Sequence, residues 1–436
     1  MDNGTTLLLG LEGLVVELVD VRGDQLVVQV ATSPRVVPVC PGCLVPSSSV
    51  KQWVTTRPRD LEHGGRRIWL VWRKRRWRCR NPSCVRASFT ETVPAVAPRA
   101  RLTARLRECA GAVVADGGRT VVQAARDLGL SWPTVHAALV GHAERVLPTE
   151  PQPVSVLGID ETRRGRRRFT RDETTGKFVL TADCWHTRFT DISGGQGLLD
   201  QVEGRDHTTV AAWLLARLKT WRDQVRFVAI DMSASYAAAV RLALPHATIV
   251  VDHFHVVQLA NHAVTELRRR LAWAYRDRRG RKGDPEWDAR RALLRNREDL
   301  NPTQEAKLID TLTRLGEHGV TLLGAWIIKE KLRDLLRLAR TRPDPEQVRA
   351  GLYEFHDWCA MSGQPELHRL ATTIERWWPA IRAFIATGIT NAVSEGLNRV
   401  IKLEARKAYG FRSPANQRLR IRCATNRRTR GHLKPA

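Results

Sequence analysis

The sequence predicts a mixed α/β chain built in parts: a β-rich ribbon carrying cysteine pairs, a short all-helical segment, and an α/β core broken by a long helical insertion. Three observations predict it. Two cysteine pairs with turn-forming spacers, Cys40-Pro-Gly-Cys43 and Cys79-Arg-Asn-Pro-Ser-Cys84, flank a stretch rich in Trp, Val, Ile and Arg. Further on, three short apolar runs each stop on an acid, at Asp160, Asp231 and Asp252. From about residue 262 to 385, apolar residues recur at helical spacing and nothing reads as a strand.

Size and charge narrow the class. The 436 residues leave room for several domains and an ample core. With 71 Lys and Arg against 45 Asp and Glu, the net charge of +26 draws the chain to polyanions. Nucleic acid is the first candidate and an anionic membrane surface the second. No run of roughly 18 apolar residues exists, so nothing is expected to span a bilayer. The opening, MDNGTTLLLGLEGLVVELVD, lacks a basic leader and reads as a strand or hairpin instead of a signal peptide. Eight cysteines in such a chain point to thiols or metal ligands over disulfides, and to a reducing cytoplasm.

Residues 1–95 form the ribbon. Four thiolates in two turn-bound pairs, Cys40, Cys43, Cys79 and Cys84, fit a tetrahedral structural zinc site. Residues 53–78 between the pairs read as strands. The basic run Arg73, Lys74, Arg75, Arg76 and Arg78 gives the ribbon either a phosphate-facing edge or a merely solvated face. Residues 96–146 read as all helix. Within TVVQAARDLGLSWPTVHAALV, a helix over 121–127 meets a turn at Leu128-Gly129-Leu130. Ser131 then serves as N-cap, with Pro133 in the first turn of a second helix running to about residue 140. This is helix-turn-helix grammar, and it places Ser131, Trp132, Thr134 and His136 at the base-facing end of the second helix. LPTEPQP, residues 147–153, is a proline-punctuated linker.

Residues 154–261 begin the core. VSVLGID ends on Asp160; strand candidates follow at 177–183 and 188–192, and Asp206 caps a helix running to about residue 218. A strand over 225–230 ends on Asp231, a helix spans 234–244, and a strand over 247–251 ends on Asp252, with His255 three residues on. Three antiparallel strands followed by parallel strands alternating with helices is the element order of a ribonuclease H-like domain. Acids at the ends of neighbouring strands face the crevice where ligands bind and suit a divalent cation. The plainer alternative for each is a solvated strand end. The helical insertion, 262–388, carries Trp273, Trp287, Trp326, Trp358, Trp377 and Trp378, which read chiefly as helix-packing core, with stacking on an extruded base as the alternative.

Residues 389–412 form the last core helix. Val393, Leu397, Val400 and Ile401 make its apolar stripe, while Asn391, Glu395, Asn398, Lys402 and Arg406 share another face. There one carboxylate stands among groups suited to holding phosphates, and Glu395 becomes the third acid. The tail, 413–436, is densely basic and reads as following DNA or disordered.

Taken in order, CPGC with WRCRNPSC, the helix-turn-helix, LGIDE at 157–161, AIDMSASY at 229–236, VVDHFHVVQLAN at 250–261 and NAVSEGLNRVIKLEARKAYGFR at 391–412 resemble the transposases of the bacterial insertion-sequence group called ISL-three. The resemblance covers nearly the whole chain. It implies a DDE transposase with Asp160, Asp231 and Glu395 as catalytic triad, holding two Mg²⁺ or Mn²⁺ ions. It places Asp252 and His255 in a supporting D-x-x-H signature. His253 stands where a basic residue is common, and Glu404 interrupts a more basic run, which weakens a local phosphate contact. The implied partners are double-stranded DNA, as terminal inverted repeats and as target, in a bacterial, nucleoid-associated setting. Two element ends must be held together, so at least a dimer on DNA is expected. The competing expectations are a non-catalytic DNA-binding regulator and a host nuclease with the same core.

Overall fold

A computed structural model describes residues 4–182 and 184–427. The chain divides into two compact units at Thr149 and Glu150. No helix among the described residues is long and apolar enough to cross a membrane.

The first unit opens on a helix, α1 (Gly4–Leu9), and only then on β1 (Leu14–Arg22). The strand or hairpin expected for the whole opening is corrected here. Gly10 and Gly13, both at positive φ, break the chain between the two elements, and the Thr6 hydroxyl accepts the Val16 amide at 2.9 Å. β2 (Gln25–Thr32), β3 (Val50–Thr56), β4 (Arg59–His63), β5 (Arg66–Arg78) and β6 (Ser88–Thr90) complete a six-stranded sheet. Its order is β1-β2-β5-β3, with β4 and β6 also paired to the long β5. Leu70 and Trp72 on β5 are buried against Val30 of β2.

Three helices follow: α2 (Ala104–Ala115), α3 (Val121–Asp127) and α4 (Trp132–Val146), the last extending beyond the expected end near residue 140. The Thr103 and Thr120 hydroxyls cap α2 and α3. Ser131 holds the N-cap position of α4, but its hydroxyl bonds the Thr134 hydroxyl at 2.8 Å instead of a backbone amide, so the expected side-chain cap is absent. The turn between α3 and α4 is fixed from the sheet: Arg59 on β4 donates to the Gly129 and Leu128 carbonyls at 2.6 and 2.9 Å. Beside it the buried Asp60 accepts from the Thr103 hydroxyl and from Arg105.

The second unit is built on a five-stranded sheet of order β11-β10-β7-β12-β13. It comprises β7 (Val156–Arg163), β10 (Trp185–Asp191), β11 (Leu198–Glu203), β12 (Phe227–Ile230) and β13 (Thr248–Val251), while β8 (Arg168–Arg171) and β9 (Phe178–Ala182) form a separate two-stranded ribbon. β7, β10 and β11 are antiparallel; β7, β12 and β13 are parallel. The expected architecture therefore stands with one strand reassigned. The stretch at 177–183, whose Asp183 lies outside the described residues, is not the second core strand. Its Phe178, Val179 and Leu180 are exposed on the ribbon, whereas Leu198 and Leu199 of β11 are buried. The glycine-rich turn SGGQG hid β11 from the periodicity.

One sheet face packs on α5 (His207–Leu215), which the short α6 (Lys219–Arg222) follows, and on α7 (Ala234–Ala243). Leu157, Ile159, Phe189, Val228 and Ile230 meet Trp213 and Tyr236 there, with the Phe189 and Trp213 rings stacked at 3.6 Å. From Asp252 the chain enters α8 (His253–Arg276), an unbroken helix that runs straight from the core into the insertion. The insertion continues through α9 (Pro285–Asp288), α10 (Arg290–Leu294), α11 (Pro302–Thr313), α12 (Glu317–Arg337), α13 (Pro345–Met361) and α14 (Pro365–Thr387). Leu267, Leu322, Trp326, Phe355 and Ile381 are buried together between these helices, and Trp377 and Trp378 pack against them.

α15 (Ala392–Lys407) and α16 (Pro414–Thr425) return to the sheet. Of the tail, expected to follow DNA or to be disordered, the described part is helical over Pro414–Thr425, so the disordered alternative fails there. Ile421 is buried with Leu198 and Ile401. Glu404, expected only to weaken a phosphate contact, is buried and pairs with Arg420 at 2.9 Å and Lys407 at 3.0 Å, fastening α16 to α15.

Candidate active site and metal centre

β7 supplies the middle of the site. Alternation puts Gly158, Asp160 and Thr162 on one face and Leu157, Ile159 and Glu161 on the other. Gly158 lets α15 cross the strand in backbone contact: a Cβ there would lie 2.6 Å from Ser394 Oγ and 3.1 Å from Asn391 Oδ1. Asn391 and Ser394 are accordingly buried. One turn on, Asn398 Nδ2 donates to Asp160 Oδ2 at 2.9 Å, while its Oδ1 accepts from the Thr162 hydroxyl at 3.1 Å. Asn398, read from sequence as a DNA contact, is occupied with the strand.

Asp160 is buried and fully engaged. Its Oδ2 also receives Arg188 Nη2 at 2.6 Å, and its Oδ1 accepts the Glu161 amide at 2.6 Å. Arg188, opposite Asp160 on β10, is completely buried, and two of its nitrogens, Nε and Nη1, have no partner. Burial pulls its pKa down and Asp160 pulls it back up. Sequence reasoning missed Arg188; its one signal is a cation inside a strand candidate beside Phe189.

The register pairs Ile230 of β12 with Ile159 of β7, so Asp231 and Asp160 follow as neighbours on adjacent strands. His255 Nε2, from the first turn of α8, lies 2.9 Å from Asp231 Oδ1 without hydrogen-bond alignment. Asp231 is the main influence raising the pKa of His255. Asp252 is buried at the start of α8, where it accepts the Phe254 amide at 3.0 Å and the Asn391 amide at 3.2 Å. It joins the start of α15 to that of α8. Burial opposes its charge, but the His253 side chain and these amides hold its carboxyl below the ordinary range.

A cavity of about 820 Å³ opens at the ends of β7 and β12, lined by Glu161, Arg205, Asp231, Tyr236, His255 and others. Glu161 was also missed. Burial raises its pKa, with Asp160 and Asp231 adding to the rise and Arg205, 3.5 Å away, opposing it. Glu395 stands exposed on α15 between Asn391 and Asn398, and Lys402 and Arg406 are exposed further along the helix. Among the described residues, the structure does not bring Asp160, Asp231 and Glu395 within 4.8 Å of one another. What it provides is a set of hard oxygen donors on three contiguous elements, one of them, Asp231 Oδ1, buried without a donor in line. That set fits a divalent cation.

The cysteine site is assembled outright. The four sulfurs of Cys40, Cys43, Cys79 and Cys84 all lie within 4.8 Å of one another, with Cys43 to Cys79 at 3.6 Å and Cys40 to Cys84 at 4.0 Å. Zinc–sulfur bonds of about 2.3 Å in a tetrahedron set sulfurs roughly 3.8 Å apart. The Gly42 amide draws the Cys40 thiol down to about 7 against the effect of burial. All eight cysteines are free.

The remaining predicted contacts divide. Trp132 is exposed and stacks on His136 at 4.9 Å, with Ser131 and Thr134 beside it at the start of α4. Arg73 lies over the exposed Trp53 at 4.5 Å. Arg76 donates to the Ser88 hydroxyl at 3.1 Å. Arg75 is committed to the buried Glu91 at 2.9 Å and to the Trp77 face, so it is a structural cation before it is a phosphate contact.

Comparison with known proteins gives this geometry a family. A family model described as "Transposase", the ISL3 DDE type, matches residues 157–421. A second, the zinc-finger of transposases IS204, IS1001, IS1096 and IS1165, matches residues 37–84, and the helix-turn-helix domain of transposase family ISL3 matches 91–143. The chain is 28% identical over 222 residues to the transposase for insertion sequence element IS1001 of Bordetella parapertussis, covering 51% of this chain and 52% of that protein. To the transposase for IS1557 of Mycobacterium tuberculosis it is 29% identical over 234 residues, 48% and 50% of the two chains. The chain thus spans about half the length of the curated relatives it matches. A solved structure, a Drosophila P element transposase strand transfer complex, aligns at TM-score 0.41 and 11% identity, over 77% of this chain and 94% of that one. The chain belongs to the ISL3 family of transposases.

Proposed function

We propose that this chain is a DNA transposase that binds the terminal inverted repeats of an insertion sequence, cleaves the strand at the element end and joins the freed 3′ end to target DNA. The observation that carries the proposal is the placement of Asp160 and Asp231 as neighbours on adjacent strands, under the helix that bears Glu395. Asp160, Asp231 and Glu395 would hold two Mg²⁺ or Mn²⁺ ions, which when bound supply an acidified nucleophile and a stabilised leaving oxygen. Asp252 and Asn398 position α15 over β7. His255, with Nε2 2.9 Å from Asp231 Oδ1, helps to orient that carboxylate. Arg188 neutralises Asp160 until it engages as a ligand. Lys402 and Arg406, exposed beyond Glu395, take backbone phosphates of the bound strand. Water or a 3′-hydroxyl is the nucleophile, so no covalent protein–DNA intermediate forms. Ser131, Trp132, Thr134 and His136 read bases, Arg73 and Arg76 contact phosphates, and zinc at the four cysteines stiffens the ribbon. Two element ends call for at least a dimer on DNA.

One observation favours a second reading, a non-catalytic DNA-binding regulator: both Asp160 oxygens are already taken by protein donors. The deciding assay incubates labelled element-end DNA and a second duplex with Mg²⁺ and either the wild-type chain or Asp231→Asn. Cleavage and joining by the wild type, lost in the variant with DNA binding retained, supports the transposase. Equal binding without chemistry in either protein selects the regulator.

A further inference from the structure

The helical insertion holds a second cavity, of about 630 Å³, which the reading above does not use. Arg268, Arg269, Arg279, Arg290 and Arg291 line it, and no carboxylate does. Three arginines nearby are paired instead: Arg270 with Glu366 at 2.7 Å, Arg276 with Glu286 at 2.6 Å and Arg278 with Asp284 at 2.8 Å. Among the described residues, none of the five cavity arginines has a carboxylate oxygen within 4.0 Å. Like charges gathered round one void repel, and their field falls where an anion would sit. Arg268 is itself buried; burial, and then Arg269 and Arg290, hold its pKa below the ordinary range.

The cavity is aromatic as well as cationic. Trp287 is half-buried, with the guanidinium of Arg290 at 4.4 Å and that of Arg268 at 5.5 Å from its ring. Trp273 also lines the cavity, and 55% of its surface is exposed. A bare phosphate site needs no such indole. All the cations are arginines, whose planar forks match phosphate oxygens two at a time. The volume lies within the range of roughly 300–1,000 Å³ typical of small-molecule sites.

We propose that this cavity binds one nucleotide unit, its phosphate gripped by the arginines and its base stacked on Trp273. The unit is either a free nucleotide or an unpaired nucleotide of a DNA strand, and the chemistry of recognition is the same. The proposal does not rest on strand transfer.

The test is photolabelling of the full chain, without divalent metal or element-end DNA. The probes are 8-azidoadenosine 5′-monophosphate and a trinucleotide with a central 5-bromodeoxyuridine, with labelled peptides identified by mass spectrometry. The result expected is label on the peptides holding Trp273 or Trp287. Labelling by the mononucleotide marks the free ligand as the source; labelling by the trinucleotide alone marks the strand. Trp273→Ala should weaken it roughly tenfold, the scale of one lost base stack. Arg269→Gln with Arg291→Gln, both at exposed positions and checked for an unchanged melting temperature, should weaken it at least as much. Label confined to other peptides, or inorganic phosphate displacing the probes as well as adenosine monophosphate does, would overturn the proposal. Cleavage assays play no part, so either reading can fail alone.

Discussion

The two candidate metal centres of this chain are built on opposite plans. In the ribbon, four thiols from two turns already stand within 4.8 Å of one another. In the α/β unit the carboxylates are placed on touching elements but held by protein cations and amides: Arg188 and Asn398 on Asp160, His255 beside Asp231. The difference follows from charge. Four thiols carry little charge among them until an ion displaces their protons, even with Cys40 drawn down to about 7, so a folded turn can crowd them cheaply. Ionised carboxylates repel, and a fold that keeps them adjacent without the ion must supply counter-charges.

Three experiments sharpen or break that contrast. The largest effect belongs to the ribbon. Cys40→Ser should abolish stoichiometric zinc and, with it, metal-binding free energy on the order of 10 kcal/mol that the ribbon's fold relies on. Zinc analysis with thermal melting checks this. A strong chelator should do the same to the wild type while leaving the melting of the α/β unit unmoved, since Arg188 and Asn398 already compensate Asp160.

Next is the buried ion pair. Arg188→Met leaves the Asp160 carboxylate buried with only Asn398 and the Glu161 amide, and should cost about 3–5 kcal/mol in urea denaturation. Removing both charges, with Asp160→Asn added, should recover part of that loss. A single-variant cost below about 1 kcal/mol would contradict the compensating role.

The smallest effect concerns pH. His255 has a raised folded pKa, so the stability it adds beside Asp231 is fully present below its unfolded pKa of about 6.5 and lost as pH rises through the higher folded value. The pair is partly exposed, which limits it to about 0.5 kcal/mol. The difference between wild type and Asp231→Asn should therefore be largest near pH 6 and shrink in alkali; a difference that grows with pH would contradict the pairing.

Much of this was legible in the sequence because it is written in local pattern. The acids closing apolar runs at Asp160, Asp231 and Asp252, and the cysteine turns, follow from strand and turn chemistry alone. What escaped depends on what lies across the sheet. Arg188 reads as a surface residue until the strands on either side of its own, β7 and β11, take α15 and α16 against them. Glu404 reads as an intruder among basic residues until Arg420 of α16 folds back to meet it. Glu161 differs from Asp160 by one position, and the strand's alternation sends it to the opposite face, into the cavity with Asp231. Arg75 reads like its neighbours in the basic run, yet register delivers it alone to Glu91.

The central claim is that Asp160, Asp231 and Glu395 hold the same ions once DNA is bound. The most direct measurement is Fe²⁺-mediated oxidative cleavage of the protein backbone, with element-end DNA present and Mg²⁺ as competitor. The account predicts cuts clustered near residues 160, 231 and 395 that disappear together as Mg²⁺ is added. Cuts near the two aspartates with none near Glu395, or cuts that Mg²⁺ does not suppress, would contradict it.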